Sequence, residues 1–209
     1  MIPTVVFDLD KVLLGGDAST LFLRGVLRQR PGRALPLVLA SPVLLIGSAL
    51  PWLRPLAARL MTRLAVGRRG VEAVAAAFIS VLTLKPEAAV ADAIACVRAH
   101  QRDGERIVVA TGCEETLARG FLTAVGLGEL DVVGSCASVP VRRAMGESKV
   151  TLLAQRGYPP PWTAVYSDSP SDLPLFAGTA RPVLVNADEK AARKVARTLG
   201  RPPETRTWR

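Results

Sequence analysis

Short apolar runs alternate with longer helical patterns along most of this chain, and their order predicts the architecture. Residues 5–9 form a β-rich run that ends in acidic residues, and residues 106–110 (RIVVA) form a second. Residues 131–135, 163–166 and 182–186 read as three more strands. Residues 114–125, 147–155 and 188–199 carry helical patterns, and a short helix is expected from Ser171. Strands that alternate with helices in this way predict an α/β fold, because helical crossovers return the chain to a parallel neighbour and cover both faces of the sheet. Residues 201–209 read as a frayed tail.

The long gap between the first two strands stands apart. After a loop at residues 11–17, helical patterns run to about Gln101, broken at Pro31-Gly32, at Pro36, Pro42, Gly47 and Pro51, and at residues 67–70. The expected organisation is therefore an α/β core of residues 1–14 and 100–209 with a helical insertion of residues 15–99. In open α/β sheets ligands sit at the carboxyl ends of the strands. An insertion that leaves from that edge should roof the site.

Charge sharpens the contrast. The chain of 209 residues has 27 Lys and Arg against 18 Asp and Glu. Residues 18–71 hold nine arginines (24, 28, 30, 33, 54, 59, 63, 68 and 69) and no acid, and the rest of the chain balances. The same segment contains residues 34–53, an uncharged apolar stretch bracketed by Arg33 and Arg54. Its length would span a bilayer, but three prolines and Gly47 interrupt it. An apolar surface edged by arginine suits the headgroup region of an anionic membrane, and the spacing of Leu56, Leu60 and Leu64 beside Arg59 and Arg63 agrees. A buried helical bundle with a solvated arginine face explains the same pattern. No nucleic-acid motif accompanies the charge, and few aromatics are interleaved with it, so no nucleic-acid partner is expected.

Three widely spaced cysteines (Cys96, Cys113 and Cys136) support neither a disulfide framework nor a zinc site and read as packing residues. His100, the one histidine, falls in a helical pattern and reads as a surface or packing residue. The first residues lack the features of a secretory signal. The expected location is the cytoplasm, with peripheral or integral attachment at the inner membrane face as the alternative.

Four polar clusters follow strands, where a site would lie. Asp8 and Asp10 are two positions apart on an extended run, which aims both carboxylates to one face, and such a pair wants a cation or a proton between its members. Thr111-Gly112-Cys113 is expected to open a helix, where free amides and a hydroxyl can hold phosphate. Lys149 lies near a helix start, where a cation is disfavoured unless an anion joins it. Asp168 and Asp172 are four apart and can face one point if a helix begins between them. Taken singly, each cluster also has a plain structural role as a solvated loop, an N-cap or an exposed lysine.

Taken in order, the segments FDLDKV (7–12), VVATG (108–112), GESKV (146–150) and YSDSPSD (166–172) resemble the four motifs of the haloacid-dehalogenase superfamily of phosphohydrolases. The insertion resembles the helical cap of its phosphoserine-phosphatase-like branch. Within that branch, residues 21–50 and YSDSPSDLPLF are similar to the phosphatidylglycerophosphatase C family. Lys11 and Ser167 depart from the pattern, since the superfamily often has Gly at both positions.

The resemblance implies a three-layer Rossmann-like parallel sheet with an all-helical cap. It also implies a Mg²⁺-dependent phosphatase acting through an aspartyl-phosphate. Asp8 would be the nucleophile and Asp10 the general acid and base, with Asp8, Asp10 and Asp168 around Mg²⁺. Thr111, Gly112 and Lys149 would hold the phosphoryl group, and Asp172 would support the metal shell or Lys149. The expected partner is a phosphorylated small molecule or an anionic lipid phosphate such as phosphatidylglycerophosphate, met at the membrane through the Arg-rich cap. A soluble phosphatase for a metabolite such as phosphoserine, or a catalytically idle lipid- or partner-binding module, are the alternatives.

Overall fold

Six parallel strands form the centre of the molecule in the computed structural model, which describes residues 3–29, 88–136 and 144–209 together with positions 32, 35, 39–42, 50 and 60. The elements run β1 (Thr4–Phe7), α1 (Ala18–Gln29), α2 (Ala91–Arg102), β2 (Arg106–Glu114), α3 (Glu115–Ala124), β3 (Asp131–Ser135), α4 (Glu147–Gln155) and β4 (Trp162–Ser167). A 3₁₀ turn (Pro170–Asp172), α5 (Leu173–Ala177), β5 (Thr179–Val185), α6 (Glu189–Leu199) and β6 (Glu204–Arg206) complete them. The sheet order is β3-β2-β1-β4-β5-β6. This is the α/β parallel sheet that the alternation predicts, in the Rossmann-like form that the resemblance implies.

The alternation of side chains along β1 splits the core in two. Val5 and Phe7 join one layer with Ala93 and Val97 of α2 and with Phe121 and Leu122 of α3. Val6 faces the opposite layer, where Leu153 of α4, Phe176 of α5 and Val195 of α6 pack. All three β1 residues are fully buried, as expected of a central strand covered on both faces. Residues 91–99, read with the insertion, thus pack on the sheet as part of α2.

The chain builds outward from β1 to β3, then returns to the other side of β1 with β4. Order reverses between β1 and β4, which opens a crevice at their carboxyl ends. Val5, Val6 and Phe7 pair with Ala164, Val165 and Tyr166. One register further on, the Asp8 amide donates to the Tyr166 carbonyl at 2.8 Å. The first acidic residue is therefore fixed at the crevice by the ladder itself.

The insertion leaves and rejoins the core through a narrow neck. Leu14 and Ala89 form an antiparallel bridge. The Gly15 amide donates to the Ala88 carbonyl, and the Val90 amide donates to the Leu13 carbonyl, both at 3.0 Å. Just inside the neck, α1 buries Phe22 and exposes Arg24 and Arg28, in keeping with its amphipathic pattern. The remainder of the expected cap, including most of residues 34–53 and the repeat Leu56, Leu60 and Leu64, lies almost wholly outside the described residues. Among the described residues, no helix is long and apolar enough to cross a membrane.

The tail is not frayed. Residues 204–206 pair with residues 183–185 of β5 as the sixth strand. Trp208 stacks on Tyr166 with ring centroids 5.4 Å apart, and the Arg209 amide donates to Asp92 at 2.9 Å. Its partners are distant in sequence, which a local pattern does not reveal.

Candidate active site

At the β1–β4 crevice lies a cavity of about 170 Å³, lined by Asp8, Asp10, Lys11, Asp17, Gly112, Met145, Lys149, Asp168, Asp172 and the serines Ser169 and Ser171. Asp8, Asp10, Gly112, Lys149, Asp168 and Asp172, separate in sequence, are thus brought together. Thr111 is fully buried beside them and does not line the cavity.

Lys149 is the electrostatic centre. Its chain turns into α4 at Gly146, whose φ of 53° is a conformation that favours glycine. The lysine side chain is nearly fully buried. Its Nζ donates to Asp172 Oδ2 at 2.9 Å and lies 3.2 Å from Asp8 Oδ1. Burial opposes the ammonium charge, but the two carboxylates outweigh it and hold its pKa above the ordinary value. The anionic partners that its place at a helix start demands are therefore Asp8 and Asp172.

Asp172 is held from a second side. Ser167 Oγ donates to its Oδ2 at 2.8 Å and accepts from the Ser169 amide at 3.2 Å. Ser167 is fully buried, so the hydroxyl at a position read only as a departure from Gly instead locks the carboxylate that holds Lys149. Motif reading passed over it because a hydroxyl has no use there until its partner is known. Between Asp168 and Asp172, Ser169 caps the 3₁₀ turn and accepts from the Ser171 amide at 3.2 Å. The helical start expected between the two carboxylates is present and turns both to the cavity.

Asp8 Oδ1 also accepts from the Leu9 amide at 2.8 Å. Burial pushes the Asp8 carboxyl up to about 8, against the pull of Lys149, and Asp172 and Asp10 add to the rise. Asp10 accepts from the Ala18 amide at the start of α1 at 2.7 Å. Burial raises its pKa to about 6 despite that bond, with Asp17 contributing. Asp168 is raised too, chiefly by burial, although Lys11 Nζ at 3.6 Å opposes the shift. Five carboxylates face two ammonium groups around one cavity. Such crowding is relieved by protons or by a cation, and an oxygen-only donor set suits a hard divalent ion.

One expectation is corrected here. Thr111-Gly112-Cys113 does not open a helix: it continues β2, and α3 begins at Glu115, capped by the Glu114 side chain accepting from the Thr116 amide at 2.7 Å. The β2–β3 register shifts between Ala110 and Glu114. Thr111 Oγ1 accepts from the Cys113 amide at 3.0 Å across this irregularity. Irregular strand ends of this kind re-aim side chains and backbone near sites, and this one brings the exposed Gly112 to the cavity wall. Asp17 and Met145 have no place in the sequence reading, and Lys11 enters it only as a departure from Gly, because no motif spacing marks them as lining residues.

His100 and the cysteines do not reach this cavity. His100 Nε2 lies 2.9 Å from the Tyr166 hydroxyl, its Nδ1 pairs with Glu105, and its ring meets Phe7 edge-on, so it packs beside β1. Cys113 is buried, Cys96 and Cys136 are half-buried, and none of the three forms a disulfide. Among the described residues, no three His, Cys, Asp or Glu side chains gather as a metal cluster.

The family model for haloacid dehalogenase-like hydrolases matches residues 5–177 of the chain. No curated protein matches the sequence. Among solved structures, a protein of unknown function from Bordetella pertussis Tohama I is similar at 20% identity and a TM-score of 0.59, with 98% of this chain and 99% of that one covered. A phosphoserine phosphohydrolase-like protein from Francisella tularensis subsp. tularensis SCHU S4 is similar at 12% identity and a TM-score of 0.60, covering 98% and 94%. A phospho-aspartyl intermediate analogue of phosphoserine phosphatase is similar at 14% identity and a TM-score of 0.60, covering 99% and 93%. At these identities the likeness is one of fold.

Proposed function

The chain belongs to the haloacid dehalogenase-like hydrolase family, and from that premise we propose that it hydrolyses phosphomonoesters through an aspartyl-phosphate on Asp8. The observation that carries this reading is the Asp8–Lys149–Asp172–Ser167 network at the floor of a carboxylate-lined cavity. Both contacts of the Asp8 carboxylate fall on Oδ1, which leaves Oδ2 to attack phosphorus. The Oδ2–P bond forms as the bond from phosphorus to the ester oxygen breaks, and Asp10, with its pKa near 6, gives the leaving oxygen its proton. Asp10 then takes a proton from water as that water attacks the phosphoryl group and frees Asp8. Lys149, Gly112 and the Thr111 side of the β2 irregularity would hold the phosphoryl oxygens.

A dianionic phosphate cannot enter a cavity of five carboxylates and two lysines unless further positive charge is present. Asp8, Asp168 and the Asp10 backbone carbonyl would hold Mg²⁺, which binds through one or two carboxylates and keeps several waters. A site of that composition does not require three clustered side chains. When bound, the ion supplies charge neutralisation for the attacking carboxylate and the phosphoryl oxygens.

For substrate, the reading is an anionic lipid phosphate such as phosphatidylglycerophosphate or a lysophospholipid, with the insertion against the inner membrane face. Support comes from its unbalanced arginines and from Leu35 and Leu39, which are 65% and 72% exposed, together with the exposed Leu50 and Leu60. The fold shared with phosphoserine phosphatases supports a small soluble phosphomonoester instead. Phosphate release by the purified protein in Mg²⁺ is the test, using phosphoserine, para-nitrophenyl phosphate and phosphatidylglycerophosphate in anionic vesicles. Preferential release from the vesicles is expected. Preference for phosphoserine removes the lipid reading, and no release from any of the three removes the phosphatase reading.

Stability gives an independent check on the ion. An unfolded Asp loses its proton near pH 3.8, whereas folded Asp10 keeps it until about pH 6 and Asp8 for longer. Over that range the native state binds more protons than the unfolded one, so these groups lower stability as pH rises. A divalent ion that binds the ionised carboxylates reverses the trend. The Tm gained on adding Mg²⁺ over EDTA should therefore grow from pH 4 to pH 8, and an increment independent of pH would contradict the assignment.

A further inference from the structure

Lys11 lies on the wall of the catalytic cavity, 62% exposed, with its Nζ 3.6 Å from Asp168 Oδ2. The Lys11 amide donates to the Gly16 carbonyl at 3.1 Å, and its φ of 56° is unusual for a residue with a side chain. The exposed Lys11 side chain lines the same cavity as the buried Lys149. Asp168 is only 17% exposed, but the ammonium itself is open to solvent and 3.6 Å from the carboxylate, so it is free to exchange this partner for another anion.

We propose that Lys11 is a phosphate-binding residue, parked on Asp168 until a divalent ion takes that carboxylate and a phosphomonoester fills the cavity. The inference rests on the phosphatase reading above. Asp168 cannot serve the ion and the ammonium equally. Once the ion is bound, the nearest unmatched negative charge is the incoming phosphate, and the flexible four-carbon stem lets the ammonium reach it without backbone movement. Lys149 then holds the phosphoryl group from the floor, and Lys11 holds it from the mouth. The position often taken by Gly in the superfamily thus supplies a second cation to the substrate.

Lys11→Met tests this with little risk to folding, since the side chain is exposed and methionine meets the same backbone conformation. The KM for para-nitrophenyl phosphate and the inhibition constant for inorganic phosphate should each rise about tenfold, with kcat changed by less than about twofold. Mg²⁺ affinity, measured by calorimetry without substrate, should be unchanged or tighter, and Lys11→Arg should restore phosphate binding. Unchanged KM and inhibition constants would overturn the proposal. So would a loss of Mg²⁺ affinity in step with KM, which would mean that Lys11 acts through the ion. A wild-type protein that neither hydrolyses para-nitrophenyl phosphate nor binds phosphate overturns the phosphatase reading itself, and this inference with it.

Discussion

Asp8→Asn should abolish turnover, with kcat falling about 10⁴-fold or more, because an amide cannot form the phospho-enzyme and no neighbour can replace it. The Asp8 amide is bonded to Tyr166 in the β1–β4 ladder, so the substitution changes one atom without moving the backbone. The fold should survive intact. Burial holds the Asp8 carboxyl well above its ordinary pKa, so ionising it near neutral pH costs stability that asparagine does not lose. In EDTA at pH 8 the variant should therefore melt no lower than the wild type. Phosphate release at the wild-type rate would refute the nucleophile assignment, and a large fall in Tm would show that Asp8 is a structural counter-ion instead.

Lys149→Ala should damage both activity and stability. Removing the ammonium leaves Asp8 and Asp172, which are 8% and 1% exposed, without their shared cation. Breaking a buried charge pair by deleting one member costs about 3–5 kcal/mol, which for a chain of this size lowers Tm by roughly 10 °C. Loss of a charge aimed at the phosphoryl group should cost a further hundredfold or so in rate. The pH dependence identifies the cause. Lys149 pulls the Asp8 pKa down, so without the lysine the Asp8 carboxyl stays protonated to higher pH in the folded state and the stability deficit should shrink on acidification. Chemical denaturation of both proteins at pH 5 and pH 8 measures this, and an equal deficit at both values would point to lost packing rather than unpaired charge.

The fold was legible where local pattern and burial agree. The strand at residues 131–135 and the helix at residues 147–155 have the expected bounds, because each is a short apolar or amphipathic run with clear breakers. Residues 201–209 failed for the opposite reason. Two prolines and a polar strand of three residues carry little periodicity, and β6 exists because β5 offers an unpaired edge and Trp208 finds Tyr166. The helix expected at Thr111 failed because a threonine followed by glycine reads as a cap, and nothing local shows that the strand runs on with a shifted register. In the site, the charged residues were legible because spaced acids and a lysine at a helix start are costly without a reason. Ser167 and Lys11 were not, since the value of each depends on a carboxylate reached only through the fold: Asp172 in one case and Asp168 in the other.

The bridge of Leu14 with Ala89, backed by the amides of Gly15 and Val90, closes the chain between residues 14 and 89 into a loop hung from the sheet. Closing such a loop costs only about 0.6 kcal/mol more for each doubling of its length. Its sequence and size can therefore drift, or be exchanged for those of a relative, while the strand-end chemistry stays in place. On the proposed reading, selectivity and reactivity then sit on separate stretches of the chain, and a chimera joined at residues 14 and 89 is the natural cut for moving one without the other.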